Sequence, residues 1–549
     1  MKNNELTYQS ITIGIILSII LSSANVYLGL FAGMTVSASI PAAVISMGVF
    51  RALRKHNILE NNIVQTAASA GESLAAGVIF TIPALVLMGY WTDYNWIEVA
   101  KVSLVGGLIG VLFTVPLRRI LIVEKKLKFP EGIATAEVLK AGYQANDKSI
   151  NKSIYNLMLG GALGAIIKLG QQGFNLWAST IEYIIRYKNF ILGIGCDLSP
   201  ALLGVGYIVG YNISILVLLG GCISWLIAIP IYSYVYSIGG EPIEAAWMIW
   251  NTKIRYLGVG AMVVGGIWSL IKMLNPIIMG LKNSFKTEPN EDSEKDIPMK
   301  IIIIMLLILM VPVFFIYNYA IESISGGIFL TILMVIFGFL FSSVAAYMAG
   351  VVGSSNNPIS GITIATILFT SLLLLILFND TTKTLAPIAI LIGSVVCCAA
   401  AIGGDNMQDL KAGYIIGATP WKQQIMQIIG TVSAALTLGF VLNVLDTAYG
   451  IGSEKLSAPQ ATLMKSVAEG VFNNTLPWDM VLFGALIGVF IIMLDIIQEY
   501  RKSDFRFPIL AVAVGIYLPI GLSVPIFIGG ILNKNTSIIF KKDNLLKAS

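Results

Sequence analysis

Long apolar runs, separated by short polar gaps, dominate this chain. Residues 11–30, 63–88, 104–121, 213–229, 301–316, 328–352, 362–378 and 480–494 form the clearest of them. Each reaches or approaches the roughly 20 residues that a helix needs to cross the hydrocarbon of a bilayer. Strands of a membrane barrel would instead alternate apolar and polar positions. The pattern predicts an all-α polytopic membrane protein with roughly eight helical segments in each half, some of them short or re-entrant. No small-residue cleavage site follows the first run, so the first helix is expected to be retained.

Composition agrees and removes the soluble alternative. Of 549 residues, 56% are apolar and 12% charged, against about 25% charged in a soluble domain. The net charge of +5 is no sign of nucleic-acid binding, because the basic residues gather in short loops. Arg51, Arg54 and Lys55 lie in one, and Arg118 to Lys128 span the next. Positive loops stay cytoplasmic, and a helix pair precedes each, so the N-terminus is expected in the cytoplasm. WTDYNW (91–96) would then face outside, and Lys541, Lys542 and Lys547 put the C-terminus inside. Cys196, Cys222, Cys397 and Cys398 lie in or beside apolar segments without metal-ligand spacing and read as small buried hydrophobes. The sequence carries no cofactor motif and no pattern for a resident metal ion.

The most polar stretch, KNSFKTEPNEDSEKDIPMK (282–300), has the composition of a solvated linker. It divides the chain into a first helical repeat over 1–281 and a second over 301–549, with 282–300 as a cytoplasmic linker. Tyr27, Leu28 and Gly33 match Tyr347, Met348 and Gly353, and AASAGESL (67–74) matches AAIGGDNM (400–407), which pairs Glu72 with Asp405. FPEGIATAEVLKAG (129–142) matches APQATLMKSVAEGV (458–471), and Gly206 and Gly220-Gly221 match Gly515 and Gly529-Gly530. The order is preserved throughout. An even-numbered half predicts two parallel pseudo-repeats, with a solute site between them near the midplane, as in many secondary transporters.

Polar groups inside the apolar runs mark the chemistry, because each charge there costs at least about 2.5 kcal/mol. In GGDNMQDLKAG (403–413), Asp405 and Asp409 are four residues apart and fall on one helix face, with Lys411 available to neutralise one of them. Glu72 is its counterpart in the first half. VVGSSNNPISG (351–361) interrupts a run with Ser354, Ser355, Asn356 and Asn357, and Pro358 breaks the helix ladder; asparagine offers donor and acceptor together, which suits a peptide bond. GMTVSASIPAA (33–43) is the matching break. Glu131, Glu137 and Lys140 lie on a segment beginning at Pro130 that also reads as an interfacial amphipathic helix. The expected solute-binding side chains are Tyr27, Glu137, Tyr347, Ser355, Asn356, Asn357, Asp409 and Lys411, and the expected proton carriers are Glu72 and Asp405.

NNIVQTAASAGESLAAG (61–77), FPEGIATAEVLKAG (129–142), GSSNNPISG (353–361) and GGDNMQDLKAGYIIGATPWKQQ (403–424) occur together in this order. They resemble the oligopeptide transporter (OPT) family, in its prokaryotic branch related to the yellow-stripe carriers of metal chelates. The resemblance covers nearly the whole chain. It implies a proton-coupled importer of small oligopeptides or glutathione-like peptides with about sixteen membrane segments, in a bacterial inner membrane. Uptake of metal–chelate complexes, of the siderophore or nicotianamine kind, is the alternative. Two motifs depart from the family pattern: Gly361 follows Pro358 at a distance of three residues, and Trp421 stands after Pro420 where a second proline is expected. A homo-oligomer is compatible with the sequence.

Other classes fare poorly. A single histidine, His56 in a basic loop, argues against a bare transition metal and cannot supply a His-Glu-x-x-His metalloprotease pair. Ile402 occupies the position where presenilin-type proteases need glycine. No GxxxxGK[ST] loop is present for ATP, and no ring of like charges suggests a channel filter.

Overall fold

The computed structural model describes residues 5–33, 37–53, 57–144, 180–284, 295–354, 359–378, 385–503 and 505–548, with scattered positions and short stretches between them, Asn357 among these. Five helices come first: α1 (Tyr8–Ala32), α2 (Ser39–Ala52), α3 (Ile58–Leu87), α4 (Trp96–Arg118) and α5 (Pro130–Gln144). A hairpin of β1 (Thr180–Tyr187) and β2 (Phe190–Asp197) follows, then α6 (Pro200–Val209), α7 (Tyr211–Cys222), α8 (Ile229–Tyr236), α9 (Pro242–Ile249) and α10 (Arg255–Ser284). The rest is α11 (Met299–Ile321), α12 (Ile324–Val352), α13 (Ile359–Phe378), α14 (Leu385–Ile416), α15 (Pro420–Tyr449), α16 (Pro459–Phe472), α17 (Trp478–Tyr500), α18 (Ile509–Tyr517) and α19 (Ile520–Ala548). Among the described residues, 10 helical stretches are long and apolar enough to cross a membrane. The protein is a polytopic helical membrane protein, as the apolar runs predict. The hairpin is a feature those runs did not disclose.

The chain forms two compact units, and neither is a sequence half. One comprises Met1–Leu157 and Ser269–Leu476, the other Met158–Trp268 and Pro477–Ser549. The core of the first is the pair α3 and α14, both almost wholly buried. Small residues let the backbones approach, as is usual where helices pack within a bilayer. A Cβ at Gly77 of α3 would lie 2.5 Å from the Cα of Cys398 on α14. Gly106 and Gly110 of α4 seat on Val395 to Ile402 of α14, and Gly430 of α15 seats on the Ala67 carbonyl of α3. In the second unit, Gly206 of α6 packs on Ile526 of α19, while Gly515 of α18 packs on Val217 of α7. The hairpin lies against α8, where the Ile191 amide donates to the Ser233 hydroxyl at 3.0 Å.

Two helix ends set the places of the polar breaks. α1 starts on a Thr7–Ser10 capping box, with hydrogen bonds in both directions that satisfy amides the helix cannot. It ends at Gly33, with φ at +68°. α12 ends at Gly353, with φ at +92° and ψ at 162°, a conformation essentially reserved for glycine. A polar break follows each end before the next helix begins, at Ser39 and at Ile359.

Candidate functional site

The break after Gly33 brings the start of α2 against carboxylates on α3 and α14. Glu72 on α3 accepts from Asn25 Nδ2 of α1 through Oε1, and from the Ala38 amide through Oε2 at 3.1 Å. Asp409 on α14 accepts through Oδ1 from Gln65 Nε2 of α3 and from the Ser39 hydroxyl at 3.0 Å. Ser39 in turn shares a 2.9 Å hydrogen bond with Ser69. The N-terminus of a helix presents free amides and a positive dipole end, so α2 aims its favourable end at two acids. Asp409 Oδ2 has no hydrogen-bond partner among the described residues.

Asp405 lies one turn before Asp409 on the same helix face, with Ser73 and Ser354 beside it. Asp405 and Glu131 both act electrostatically on Glu72, and Glu131 acts on Asp405 as well. Relative exposures of Glu72, Asp405 and Asp409 are 2%, 8% and 0%. No lysine or arginine among the described residues stands within salt-bridge distance of any of the three. An anion taken out of water needs donors or a cation facing it. Here the donors are neutral amides and hydroxyls.

A ring of amides fixes the acidic helix. Gln408 accepts from the Gly132 amide at 2.8 Å and donates to the Ala349 carbonyl at 2.7 Å, which ties α5 and α12 to α14. Gln423 of α15 donates to the Asp409 carbonyl at 3.0 Å and to Thr66 at 3.2 Å. Asn357 donates to the Ala345 carbonyl at 3.2 Å and lies against Gly404, where an added Cβ would collide with its Nδ2. Asn406 is fully buried, and neither its Oδ1 nor its Nδ2 has a partner among the described residues.

Of the side chains expected at the site, Glu72, Asp405 and Asp409 converge, while Asn357 packs on Gly404 and the Ala345 carbonyl of the neighbouring helix. Lys411 does not join them: its ammonium donates to the Leu127 carbonyl at 3.0 Å and lies 5.7 Å from the centre of the Tyr414 ring. Glu137 is on the surface, 3.4 Å from Lys140. Tyr27 stacks on Phe31 and meets Tyr449, and Tyr347 packs on the apolar cluster around Phe129, Met407 and Leu410. Ser355, Asn356 and His56 lie outside the described residues. Sequence reasoning missed Asn25, Ser39, Gln65, Ser69, Gln408 and Gln423. Their signal was available, since an amide or hydroxyl inside a membrane helix faces a partner or a cavity. Arg118, read as a loop residue, is buried and forms an ion pair with Asp296 at 3.3 Å.

Spanning helices packed around a buried acidic site, with no lysine or arginine in reach of it among the described residues, fit a polytopic membrane transporter. Residues 5–537 match the family described as OPT oligopeptide transporter protein. The chain belongs to that family, as its motifs suggested, and is a transporter, not an enzyme. It is 36% identical over 541 residues to a candidate oligopeptide transporter of Haemophilus influenzae, covering 92% of this chain and 85% of the relative. It is 25% identical to the metal-nicotianamine transporter YSL3 of Arabidopsis thaliana, over 95% of this chain and 82% of the relative. It is 23% identical to YGL114W of Saccharomyces cerevisiae, a candidate oligopeptide transporter, over 96% of this chain and 90% of the relative.

Proposed function

We propose that this chain is a proton-coupled importer of small oligopeptides or glutathione-like peptides, working in a bacterial inner membrane with both termini in the cytoplasm. The observation that carries the reading is the convergence of Glu72, Asp405 and Asp409 at two helix breaks, without a countercharge among the described residues. Such a site needs a positive partner during its cycle. A proton on Glu72 or Asp405, and the ammonium of an incoming peptide, are the partners that fit a buried site of amides and hydroxyls. The orientation rests on the basic loops: α1 with α2, and α3 with α4, are the helix pairs that precede them.

The reading includes a duplication into two pseudo-repeats, 1–281 and 301–549, of about eight segments each. Helix order supports it in part, since two long helices followed by a short one recur as α3 to α5 and α14 to α16. The contacts are also exchanged between the matched helices. α3 packs on α15 and α14 on α4; α5 packs on α14 and α16 on α3; α6 packs on α19 and α18 on α7. Reciprocal pairing of this kind is what a two-fold axis between like parts produces.

The plant relative favours a second reading, uptake of metal–chelate complexes, because the match to a protein named for metal-nicotianamine spans 95% of this chain. Carboxylates and asparagines suit either solute. Uptake into proteoliposomes under an imposed pH gradient tests both readings, using di- to pentapeptides, glutathione and metal chelates. Peptide uptake that follows the gradient is expected, and is lost in Glu72→Gln or Asp405→Asn. If both variants keep the wild-type gradient dependence, these acids do not carry the proton.

A further inference from the structure

An apolar corner in the second unit plays no part in the acidic site. β1 and β2 pair with Ile185 opposite Leu192 and Tyr187 opposite Phe190, which sets these four side chains on one face of the hairpin. The helical stretch from α7 to α8 stands beside that face. Together they line an open groove of about 660 Å³, walled on the helical side by Leu226, Ile227, Pro230 and Ile231. Pockets of roughly 300–1,000 Å³ are the size that takes a small molecule or a chain segment. Among the described residues, no charged side chain lines the groove.

The occupant follows from where the wall belongs. Leu226, Ile227 and Ile231 are part of the candidate span Tyr211–Tyr236, and they are 40%, 52% and 56% exposed. Large apolar side chains turned outward on a spanning helix face hydrocarbon, so the groove continues the lipid-facing side of that helix. One end of the groove is polar. The hairpin turn carries Lys188, whose ammonium lies 5.8 Å from the centre of the Tyr187 ring. The next residue, Asn189, donates to the Ser237 hydroxyl at 3.2 Å and holds the turn beside the end of α8. An apolar trough with a cation and aromatic rings at one end matches an acyl chain joined to a phosphate headgroup.

We propose that this corner holds a phospholipid of the surrounding bilayer. Its acyl chain lies along Leu192, Leu226, Ile227 and Ile231, and its phosphate meets Lys188. The hairpin then serves as a fixed ledge for one lipid.

The test uses the full chain in vesicles of phosphatidylethanolamine and phosphatidylglycerol, doped with a phospholipid bearing a photoreactive diazirine on its acyl chain. Adduct sites are mapped by mass spectrometry. Adducts on the 185–192 and 226–231 segments are expected to exceed, several-fold, those on the exposed face of α11, an ordinary lipid-facing helix. Leu192→Trp fills the trough and is expected to remove the excess; Lys188→Glu is expected to lower the preference for phosphatidylglycerol over phosphatidylethanolamine. Labelling no denser than on α11 would overturn the proposal. Protection of the corner together with protein cross-links joining two hairpins would overturn it as well, and assign the face to a second copy. If Leu192→Trp fails to fold, the wild-type map and Lys188→Glu still decide.

Discussion

At the residue scale, Gly353 shows how one position sets the site. Its φ of +92° with ψ of 162° costs a side-chain-bearing residue about 1–3 kcal/mol, and a Cβ there would lie 2.9 Å from Glu131 Oε1. The residue ends α12 and starts the break that carries Ser354 to Asp405. Gly353→Ala is therefore expected to lower the melting temperature and to cut uptake sharply. Gly89 is the control, with φ at +74° and nothing within 4 Å of an added Cβ. Gly89→Ala is expected to lower stability by a similar amount while uptake per folded protein stays near wild type. Equal loss of uptake in both variants would mean that backbone strain alone, and no effect on the Asp405 pocket, explains the defect. A second substitution probes Asp409. Gln65→Leu removes one of its two donors, and a buried acceptor left short costs about 1–3 kcal/mol. A lowered melting temperature and weakened uptake are expected, and unchanged values for both would exclude Gln65 from the site.

At the element scale, the start of α15 is a junction. Glu5 accepts from the Thr419 amide at 3.0 Å and from its hydroxyl at 2.6 Å, and pairs with Lys422 at 3.1 Å. Asp296, near the end of the polar linker, accepts from Gln424 at 2.6 Å and pairs with Arg118 at the end of α4. Two acids from separate stretches of chain thus hold a helix N-terminus, where negative charge is favoured. The Arg118 side chain is 3% exposed, so Arg118→Ala would remove a buried cation that pairs with Asp296. Losing one partner of a buried pair costs about 3–5 kcal/mol, and a large drop in melting temperature is expected. Arg118→Met combined with Asp296→Leu should recover much of that loss, because the uncompensated charge goes with its partner. A double variant as unstable as the single one would show that the charge was not the reason.

The same scale shows what the sequence discloses. The spans were legible because a membrane helix must be continuously apolar for its whole length. Asp405 and Asp409 were legible as neighbours because four residues make just over one turn. Lys411 was misjudged as their partner for the same geometric reason: two residues from Asp409, it points to the far side of the helix and reaches Leu127 instead. The hairpin escaped notice because TIEYIIRY is short, and its alternation is drowned in an apolar chain. The donors to Glu72 and Asp409 come from three separate helices, and nothing in the order of residues brings Asn25, Gln65 and Ser39 together before α1, α2 and α3 pack.

At the scale of the whole molecule, the proposed duplication, if it holds, gives the acidic site a particular meaning. Under the proposed duplication Glu72 and Asp405 would occupy matching places in α3 and α14, the two helices at the centre of the first unit, and Asp405 acts electrostatically on Glu72. If the halves are copies, the two acids face each other across the axis that relates them, and the space between them is shared. Shortening one by a methylene opens that space, while lengthening the other fills it. Glu72→Asp alone and Asp405→Glu alone are each expected to reduce uptake, the first by a gap and the second by crowding. The double exchange keeps the summed length and both charges, so its uptake should exceed the product of the two single effects, a positive coupling readable in a double-mutant cycle. Asp409 is no substitute in this scheme, because the position matched to it in the first half is Ala76; Asp409→Glu in place of Asp405→Glu should show no such rescue of Glu72→Asp. Strict additivity for the Glu72 and Asp405 pair would mean that the acids act at separate places, and the two-fold arrangement would then have no bearing on how the solute or proton is held.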